Sequence, residues 1–180
     1  MTAGPAILAI AIGISPVQAG ADTPSPCNQA SRAPRQETLN DLRGSMLCLV
    51  NRVREHYGIA TLEENVLLRR SATGHSNDMV EHDYFSHDGP AGSTVGSRVT
   101  QAGYLARIST YFIGENIGGG IGPRRGSALA VFRAWMHSPP HRANILDTEF
   151  HDLGVGVARG YPAGGGAKAA TYTLDLGMRH

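Results

Sequence analysis

The chain has 180 residues and nearly balanced charge, with 16 Lys and Arg against 15 Asp and Glu and a formal net charge of +1 at pH 7. A chain of this kind creates no large electrostatic field, so neither nucleic acid nor an anionic membrane is an expected partner. Its length fits one domain built on one hydrophobic core.

The N-terminus has the pattern of an export signal. Residues 6–14 form an apolar run of the length of a signal h-region, too short to span a bilayer comfortably, and small residues follow at a typical cleavage spacing. No Lys or Arg precedes Arg32, so the basic n-region is absent. We expect a signal peptide over residues 1–21 and a secreted, extracellular protein without a transmembrane segment in the mature chain. The missing basic residues leave the alternative, that residues 1–21 are not an export signal, open.

The chain contains two cysteines, Cys27 and Cys48. An exported chain with an even number of cysteines can close a disulfide, which here would join the start of the mature chain to the first long helix. Two unrelated buried thiols are the alternative. A zinc site is disfavoured because no C-x-x-C spacing occurs.

Residues 22–38 are rich in Pro, Ser and Ala and lack apolar periodicity, so they read as a polar linker before a domain over residues 39–180. From Leu39, apolar residues recur at steps of three and four as far as Tyr57, which is typical of one buried helix face. Gly58 is expected to end this helix.

Three further helices are predicted along the chain. The first begins either at Thr61, which opens a Thr-Leu-Glu-Glu capping box, or at Asn65, and it ends near Asp83. A short helix is expected over residues 94–102. Another is expected over residues 127–137, ending at a Pro-Pro turn that prevents its continuation.

Three strands are predicted. Residues 111–117 are β-branched and aromatic and lead into a glycine run, residues 118–120, that is expected to form a flexible loop. Residues 153–158 and 170–176 are joined by a glycine-rich connection that suits an antiparallel hairpin. Because the helices come first and the hairpin last, the order favours a layered α+β domain over repeated βαβ units.

Several polar motifs exceed what packing requires. They are Phe85-Ser86-His87, Gly114-Glu115-Asn116-Ile117, Trp135 with Ser138-Pro139, His141-Arg142-Ala143-Asn144-Ile145, and Gly154-Val155-Gly156. In this order and spacing they resemble the CAP superfamily of cysteine-rich secretory proteins, insect antigen 5 and plant pathogenesis-related proteins, in its bacterial secreted branch.

The resemblance implies a three-layer α-β-α sandwich, with a three-stranded antiparallel sheet between helical layers and a cleft that carries histidines and acids. Carried over by position, the cleft histidines are His87 and His141, and the first cleft acid is Glu115. The second family acid falls at Ser138. This departure matches the bacterial branch, and it weakens any function inferred from the full set of four residues.

The two imidazoles and the carboxylate suit a first shell for Zn²⁺ or another divalent metal, with His87 and His141 as ligands and Glu115 beside a bound water. The histidines lack the HExxH spacing that places a ligand pair and a base on one helix. A hydrogen-bonded polar cluster that ties a loop to the sheet is therefore the alternative. His75 and Trp135 follow apolar stripes and are expected in the core, and no G-x-S-x-G elbow indicates a serine hydrolase.

Two functions follow from these observations. The first is an extracytoplasmic binding or interaction module whose cleft holds a divalent metal, a small apolar ligand, a lipid or a cell-envelope component. The alternative is a metal-dependent, peptidase-like hydrolase acting on peptide or cell-envelope substrates, with Glu115 as its catalytic residue. The missing second acid favours the binding module over the hydrolase. No catalytic residue is assigned to a binding module. The sequence does not indicate an oligomeric state.

Overall fold

The computed structural model describes residues 26–180, so the expected signal peptide lies outside the described residues. The helices are α1 (Pro26–Gln29), α2 (Leu39–His56), α3 (Val66–Glu81), α4 (Val95–Gln101), α5 (Pro123–Gly126), α6 (Ala128–His137) and α7 (Pro139–Leu146). The strands are β1 (Glu63–Glu64), β2 (Tyr111–Ile121), β3 (Asp152–Arg159) and β4 (Ala169–Arg179).

The strands form one mixed sheet in the order β1-β3-β4-β2. The predicted hairpin is confirmed, since β3 and β4 pair antiparallel, and β2 pairs antiparallel with β4 along its whole length. The three-stranded antiparallel sheet implied by the resemblance gains a fourth strand, because the two residues of β1 run parallel to the start of β3. Strand β2 lies at the edge of the sheet, where its second side is open to side chains from loops and helices.

Side-chain caps set the starts of the predicted helices. Asn65, Thr94 and Ser127 each accept a hydrogen bond from a backbone N–H in the first turn of α3, α4 and α6. Of the two predicted starts for α3, Asn65 is correct. Thr61 is wrong, because residues 63–64 are drawn into the sheet as β1 instead of forming a first helical turn.

Two local predictions are wrong for reasons of tertiary packing. Residues 118–120 continue β2 instead of forming a loop, and a Cβ on Gly118 would lie 2.6 Å from Val131 and 2.8 Å from Trp135. Gly118 therefore lets α6 approach the strand. The predicted Pro-Pro turn begins α7 at Pro139, since proline is tolerated where the first helical N–H groups have no partner.

The sheet separates two helical layers, as the resemblance implies. Its apolar face carries Leu153, Val155 and Val157 from β3 and packs against α2 and α6 in the main hydrophobic core. The opposite face lies under α3, which approaches so closely that a Cβ on Gly154 or Gly156 would lie 2.1 Å from helix backbone. This second face carries buried polar side chains from β2 and β4, among them Glu115 of the candidate site.

The segment before α2 packs against the domain. The predicted disulfide joins Cys27 to Cys48 with a Cα–Cα distance of 5.4 Å. Arg159 donates hydrogen bonds to the carbonyl oxygens of Pro34 and Glu37. Residues 26–38 of the expected linker are thus held by contacts distant in sequence, which local composition does not reveal. Within residues 26–180, no helix combines the length and apolar character needed to cross a membrane.

Candidate functional site

Glu115 is the centre of the candidate site. It lies in the middle of β2 and is 7% exposed. Its Oε1 accepts a hydrogen bond from His87 Nδ1 at 2.7 Å, and its Oε2 accepts one from Arg98 Nη2 at 2.6 Å. The buried His75 approaches the same carboxylate, with Nε2 3.9 Å from Oε1. Both oxygens of Glu115 are therefore occupied by cationic or imidazole donors.

His87 reaches Glu115 from the loop that follows α3. The loop is anchored one residue earlier, where the carbonyl oxygen of Ser86 lies 3.0 Å from His75 Nε2. Tyr84 holds it further back by donating its hydroxyl proton to Asp78 on α3. The side chain of His87 is 51% exposed. Because Nδ1 is bound to Glu115, Nε2 is the ring nitrogen that remains for a ligand.

The charges of this pair are set by their mutual contact. The hydrogen bond to Glu115 raises the pKa of His87 above its ordinary value and outweighs the opposing effect of burial. Burial would raise the pKa of Glu115, but the hydrogen bond from His87 and the charge of Arg98 together hold it below its ordinary value. The site thus keeps an ionised carboxylate behind a histidine that binds its proton more tightly than usual.

Helix α7 brings His141 to the same edge of β2, and Ser138 lies just before the first residue of this helix. Asn116 Nδ2 donates to the carbonyl oxygen of His141 at 3.0 Å, and Asn144 Nδ2 donates to Asn116 Oδ1 at 2.9 Å. These contacts tie α7 to β2 through Asn116. Burial, and after it the charge of His87, lower the pKa of His141. His141 is therefore neutral at pH 7, the form in which imidazole binds metals.

A small cavity of about 260 Å³ lies beside β2 at this edge. Ser138 and His141 line it together with aromatic and apolar side chains, namely Phe85, Ile117, Trp135 and Tyr161. Trp135 is 2% exposed and donates Nε1–H to the carbonyl oxygen of Ile117 at 2.8 Å, which confirms its expected place in the core. Arg125 adds a basic side chain to the lining. The cavity therefore combines an aromatic wall with the polar residues Ser138 and His141 and the charged Arg125.

A larger cavity of about 690 Å³ lies between α3, α4 and the loop that precedes α4. Arg70, Asp78 and Arg98 are among its lining residues. Asp78 contacts His82 Nδ1 at 2.8 Å and the Tyr84 hydroxyl, and Arg98 is bound to Glu115. The predicted cleft residues His87, Glu115, Ser138 and His141 do not line this cavity, so it does not define the site.

The predicted site residues come together as two pairs. Glu115 contacts His87, Ser138 lies with His141, and the charge of His87 acts on His141. Among residues 26–180 there is no group of three or more His, Cys, Asp and Glu side chains placed to share a metal. Glu115 thus lies behind His87 instead of completing a three-residue ligand set.

Sequence reasoning missed two residues of the site, Arg98 and Asp175. Arg98 lies on the short helix α4, and its contact with Glu115 depends on how α4 packs against β2. Asp175 pairs with Glu115 across the sheet. One signal could have indicated it, because an acidic residue between Leu174 and Leu176 in a central strand requires a special environment.

The comparisons with known proteins agree with this architecture. The sequence model of the cysteine-rich secretory protein family, CAP, matches residues 47–173. The chain is 36% identical over 108 residues to YkwD and 33% identical over 118 residues to YlbC, an uncharacterized protein and an uncharacterized membrane protein of Bacillus subtilis strain 168. These matches cover 60% and 64% of the chain but 39% and 31% of the relatives, so the chain spans about a third of their length.

Solved structures show the same fold. An extracellular SCP-domain protein of Bacillus anthracis superposes with a TM-score of 0.61 at 26% identity, over 78% of this chain and 43% of that one. An outer surface protein of Borrelia burgdorferi superposes with a TM-score of 0.62 at 18% identity, over 75% of this chain and 90% of that one. The family match over most of the chain, with this fold, shows that the chain belongs to the cysteine-rich secretory protein (CAP) family.

Proposed function

We propose that this CAP domain is an extracytoplasmic binding module whose cleft, formed by His87, Glu115, Ser138 and His141, holds a divalent metal or a small ligand. The observation that carries the proposal is the state of Glu115, whose two oxygens both accept hydrogen bonds. A carboxylate held in this way orients a neighbouring histidine and does not act on a ligand itself. His87, half exposed in front of it, is the group that meets the ligand.

The donor set suits a divalent metal such as Zn²⁺ with His87 and His141 as its protein ligands. Metal-binding histidines commonly donate their second ring N–H to a carboxylate, which fixes the tautomer and strengthens the ligand nitrogen. His87 has this arrangement through Glu115. Two protein ligands leave further positions to water or to a bound molecule, and the ion would supply a positive charge that attracts an anionic or strongly polar group.

The neighbouring cavity supports a ligand with an apolar part. The rings of Phe85 and Tyr161 lie 5.4 Å apart at its rim, and Trp135 lines its inner wall. A volume of about 260 Å³ fits a small group and not a whole drug-sized molecule. The ligand class favoured by these features is a small molecule, or the end of a larger cell-envelope component, with one polar and one apolar group.

The state of Glu115 favours the binding module over the hydrolase. A general base needs an unoccupied oxygen and a pKa near the working pH. Both oxygens of Glu115 are engaged, and its pKa is held below the ordinary value. For Glu115 to act as the base of a hydrolase, Arg98 or His87 would have to release its carboxylate during each turnover.

Secretion is part of the same proposal. The Bacillus anthracis relative is described as extracellular and the Borrelia burgdorferi protein as an outer surface protein. A disulfide between Cys27 and Cys48 supports an oxidising compartment for this chain as well.

The proposal is tested by calorimetric titration of Zn²⁺ into the disulfide-bonded chain from Asp22 onward. We expect saturable binding that is lost in the His87→Ala/His141→Ala double variant. His137→Ala is the matched control, because this exposed histidine bonds the Arg133 carbonyl oxygen on its own helix and does not line the cavity. Equal binding by the double variant and the wild type, or no binding by either, would remove the metal from the proposal and direct the search to apolar ligands.

The hydrolase is tested on the same samples. Peptide and cell-envelope substrates are incubated with the wild type and with Glu115→Gln, with and without Zn²⁺. We expect no turnover above buffer. Turnover by the wild type that is absent in the Glu115→Gln variant would contradict the binding module and support the enzyme.

A further inference from the structure

Asp175 is a buried acid that faces Glu115 across the sheet. The two residues are register partners on β4 and β2, so their side chains point to the same face. That face lies under α3, and Asp175 has no solvent exposure. On its other side Asp175 pairs with Gly154, where a Cβ would lie 2.1 Å from helix backbone. The carboxyl group is therefore enclosed between α3, β3 and Glu115.

The charge of Arg98 acts on Asp175, but burial and the charge of Glu115 outweigh it, so it does not balance an ionised Asp175. Arg98 donates Nη2–H to Glu115 and Nη1–H to the carbonyl oxygen of Ser93. Within residues 26–180, no donor makes a hydrogen bond to either oxygen of Asp175. A buried carboxylate without a partner is strongly disfavoured, and a neutral acid avoids this cost by keeping its proton.

The surroundings of Asp175 favour its neutral form on balance. The neighbouring groups that act on its charge are few. They come from three elements: Glu115 on β2, Ser71 on α3 and Arg98 on α4. Burial, followed by the negative charge of Glu115, raises the pKa of Asp175 well above its ordinary value. Ser71 and Arg98 oppose this effect, and it outweighs theirs. Glu115 and Asp175 thus form a carboxyl pair whose environments drive their protonation states apart.

We propose that Asp175 is the second carboxyl of the site: a neutral acid that donates its proton in a hydrogen bond to Glu115 and so positions that carboxylate toward His87. Two ionised carboxylates are both acceptors and cannot bond each other, so a single shared proton is what makes the pair attractive. Asp175 is enclosed and meets no ligand, which makes it a positioning residue. Ser138, at the position of the second family acid, contributes no carboxyl group. The second carboxyl group of this site is that of Asp175, which lies on β4 of the sheet.

This inference deepens the proposed function, because it rests on Glu115 orienting His87. Its tests use the protein alone, without metal or ligand. Failure of Zn²⁺ binding would therefore leave the Asp175 proposal standing, and failure of the Asp175 tests would leave the binding module standing.

The first test measures the free energy of unfolding by urea from pH 5 to pH 9, for the wild type and for Asp175→Asn. The folded state keeps a proton that the unfolded chain loses above its ordinary pKa of 3.8. The wild type should therefore lose stability relative to the variant, with the unfolding constant rising tenfold per pH unit up to the raised pKa. If the ratio of the unfolding constant of the wild type to that of Asp175→Asn does not change between pH 5 and pH 9, the proposal is overturned. Asp175→Leu gives the same slope difference if the Asn variant does not fold.

The second test separates positioning from a merely structural role. The carboxyl ¹³C signals of Asp175 and Glu115 are followed through a pH titration by NMR, in the wild type and in the Asn and Leu variants at position 175. Asp175 should be neutral at pH 7. The pKa of Glu115 should rise in the Leu variant, which has no donor, and stay near the wild-type value in the Asn variant, which keeps one. An ionised Asp175 at pH 7, or equal Glu115 values in all three proteins, would contradict the proposed hydrogen bond.

Discussion

The contact between His87 and Glu115 links charge to geometry at the scale of single residues. Because Glu115 is buried and ionised, it favours the protonated form of the imidazole that it bonds. The folded-state pKa of His87 thus lies above its ordinary value of 6.5. Its proton adds stability that is fully present below pH 6.5 and is lost as the pH rises through the raised value.

Replacement of Glu115 by Gln should lower the pKa of His87, because the amide keeps the shape of the side chain but removes its charge. The measurement is an NMR titration of the His87 ring protons in the wild type and in the variant. Asp88→Asn is the matched control, since Asp88 is the next residue and has a smaller effect on the same imidazole. An unchanged or higher pKa of His87 in Glu115→Gln would show that Glu115 does not set its charge.

The sequence indicated His87, Glu115 and His141 because their motifs stand in a characteristic order. It did not indicate Arg98, although this side chain makes the shorter of the two hydrogen bonds to Glu115. A short helix such as α4 has little periodicity, so the direction of its side chains is decided by packing. The prediction that His75 lies in the core is confirmed, since His75 is fully buried and its Nε2 contacts the carbonyl oxygen of Ser86. This position was readable from the sequence because His75 continues a long apolar stripe.

At the scale of elements, the approach of α3 to β3 depends on two glycines. A Cβ at Gly154 or Gly156 would lie 2.1 Å from the backbone of α3, which is far closer than atoms can approach. The Gly154-Val155-Gly156 sequence therefore serves two faces at once. Its valine enters the apolar core, and its glycines admit the helix that covers the site.

Gly156→Ala should destabilise the domain by about 1–3 kcal/mol, because α3 or β3 has to move to admit the methyl group. Gly74→Ala is the matched control. Gly74 lies within α3 and a Cβ there would meet nothing within 4 Å, so it should gain up to about 1 kcal/mol from helix propensity. Urea unfolding measures both. A neutral Gly156→Ala variant would contradict the close packing of α3 on the sheet.

Helix limits were largely readable from the sequence, since caps and apolar steps are local signals. The end of β2 and the start of α7 were not. Residues 118–120 are strand only because β4 pairs with them, and Pro139 opens a helix only because α7 packs against β2. A glycine run widens the range of backbone conformations and a proline pair narrows it. The packing of neighbouring elements then selects one of the allowed conformations.

At the scale of the whole molecule, the disulfide ties the first described helix to α2. Cys27 and Cys48 are 21 residues apart, and Ala30 next to this connection is buried in the main core. The bond shortens the loop that the unfolded chain can explore, which raises the free energy of the unfolded state.

Replacement of both cysteines by serine should lower the free energy of unfolding by about 3 kcal/mol, as loop-closure entropy gives for a loop of this length. The measurement is urea unfolding of the wild type, oxidised and reduced, beside the double variant. Reduced wild type should resemble the double variant. Equal stability of the oxidised and reduced proteins would show that residues 26–38 are held by packing and the Arg159 contacts alone.

The sequence alone determined the family, the layered α+β class and the starts of α2, α4 and α6, and it indicated four cleft residues, His87, Glu115, Ser138 and His141. These features depend on local signals, such as capping side chains, apolar period and motif order. Only the tertiary structure decided that Glu115 is enclosed by Arg98 and His87, that Asp175 lies beside it, and that residues 26–38 pack on the domain. The physical reason is that burial and charge compensation arise between residues brought together by the sheet, and no local pattern records them.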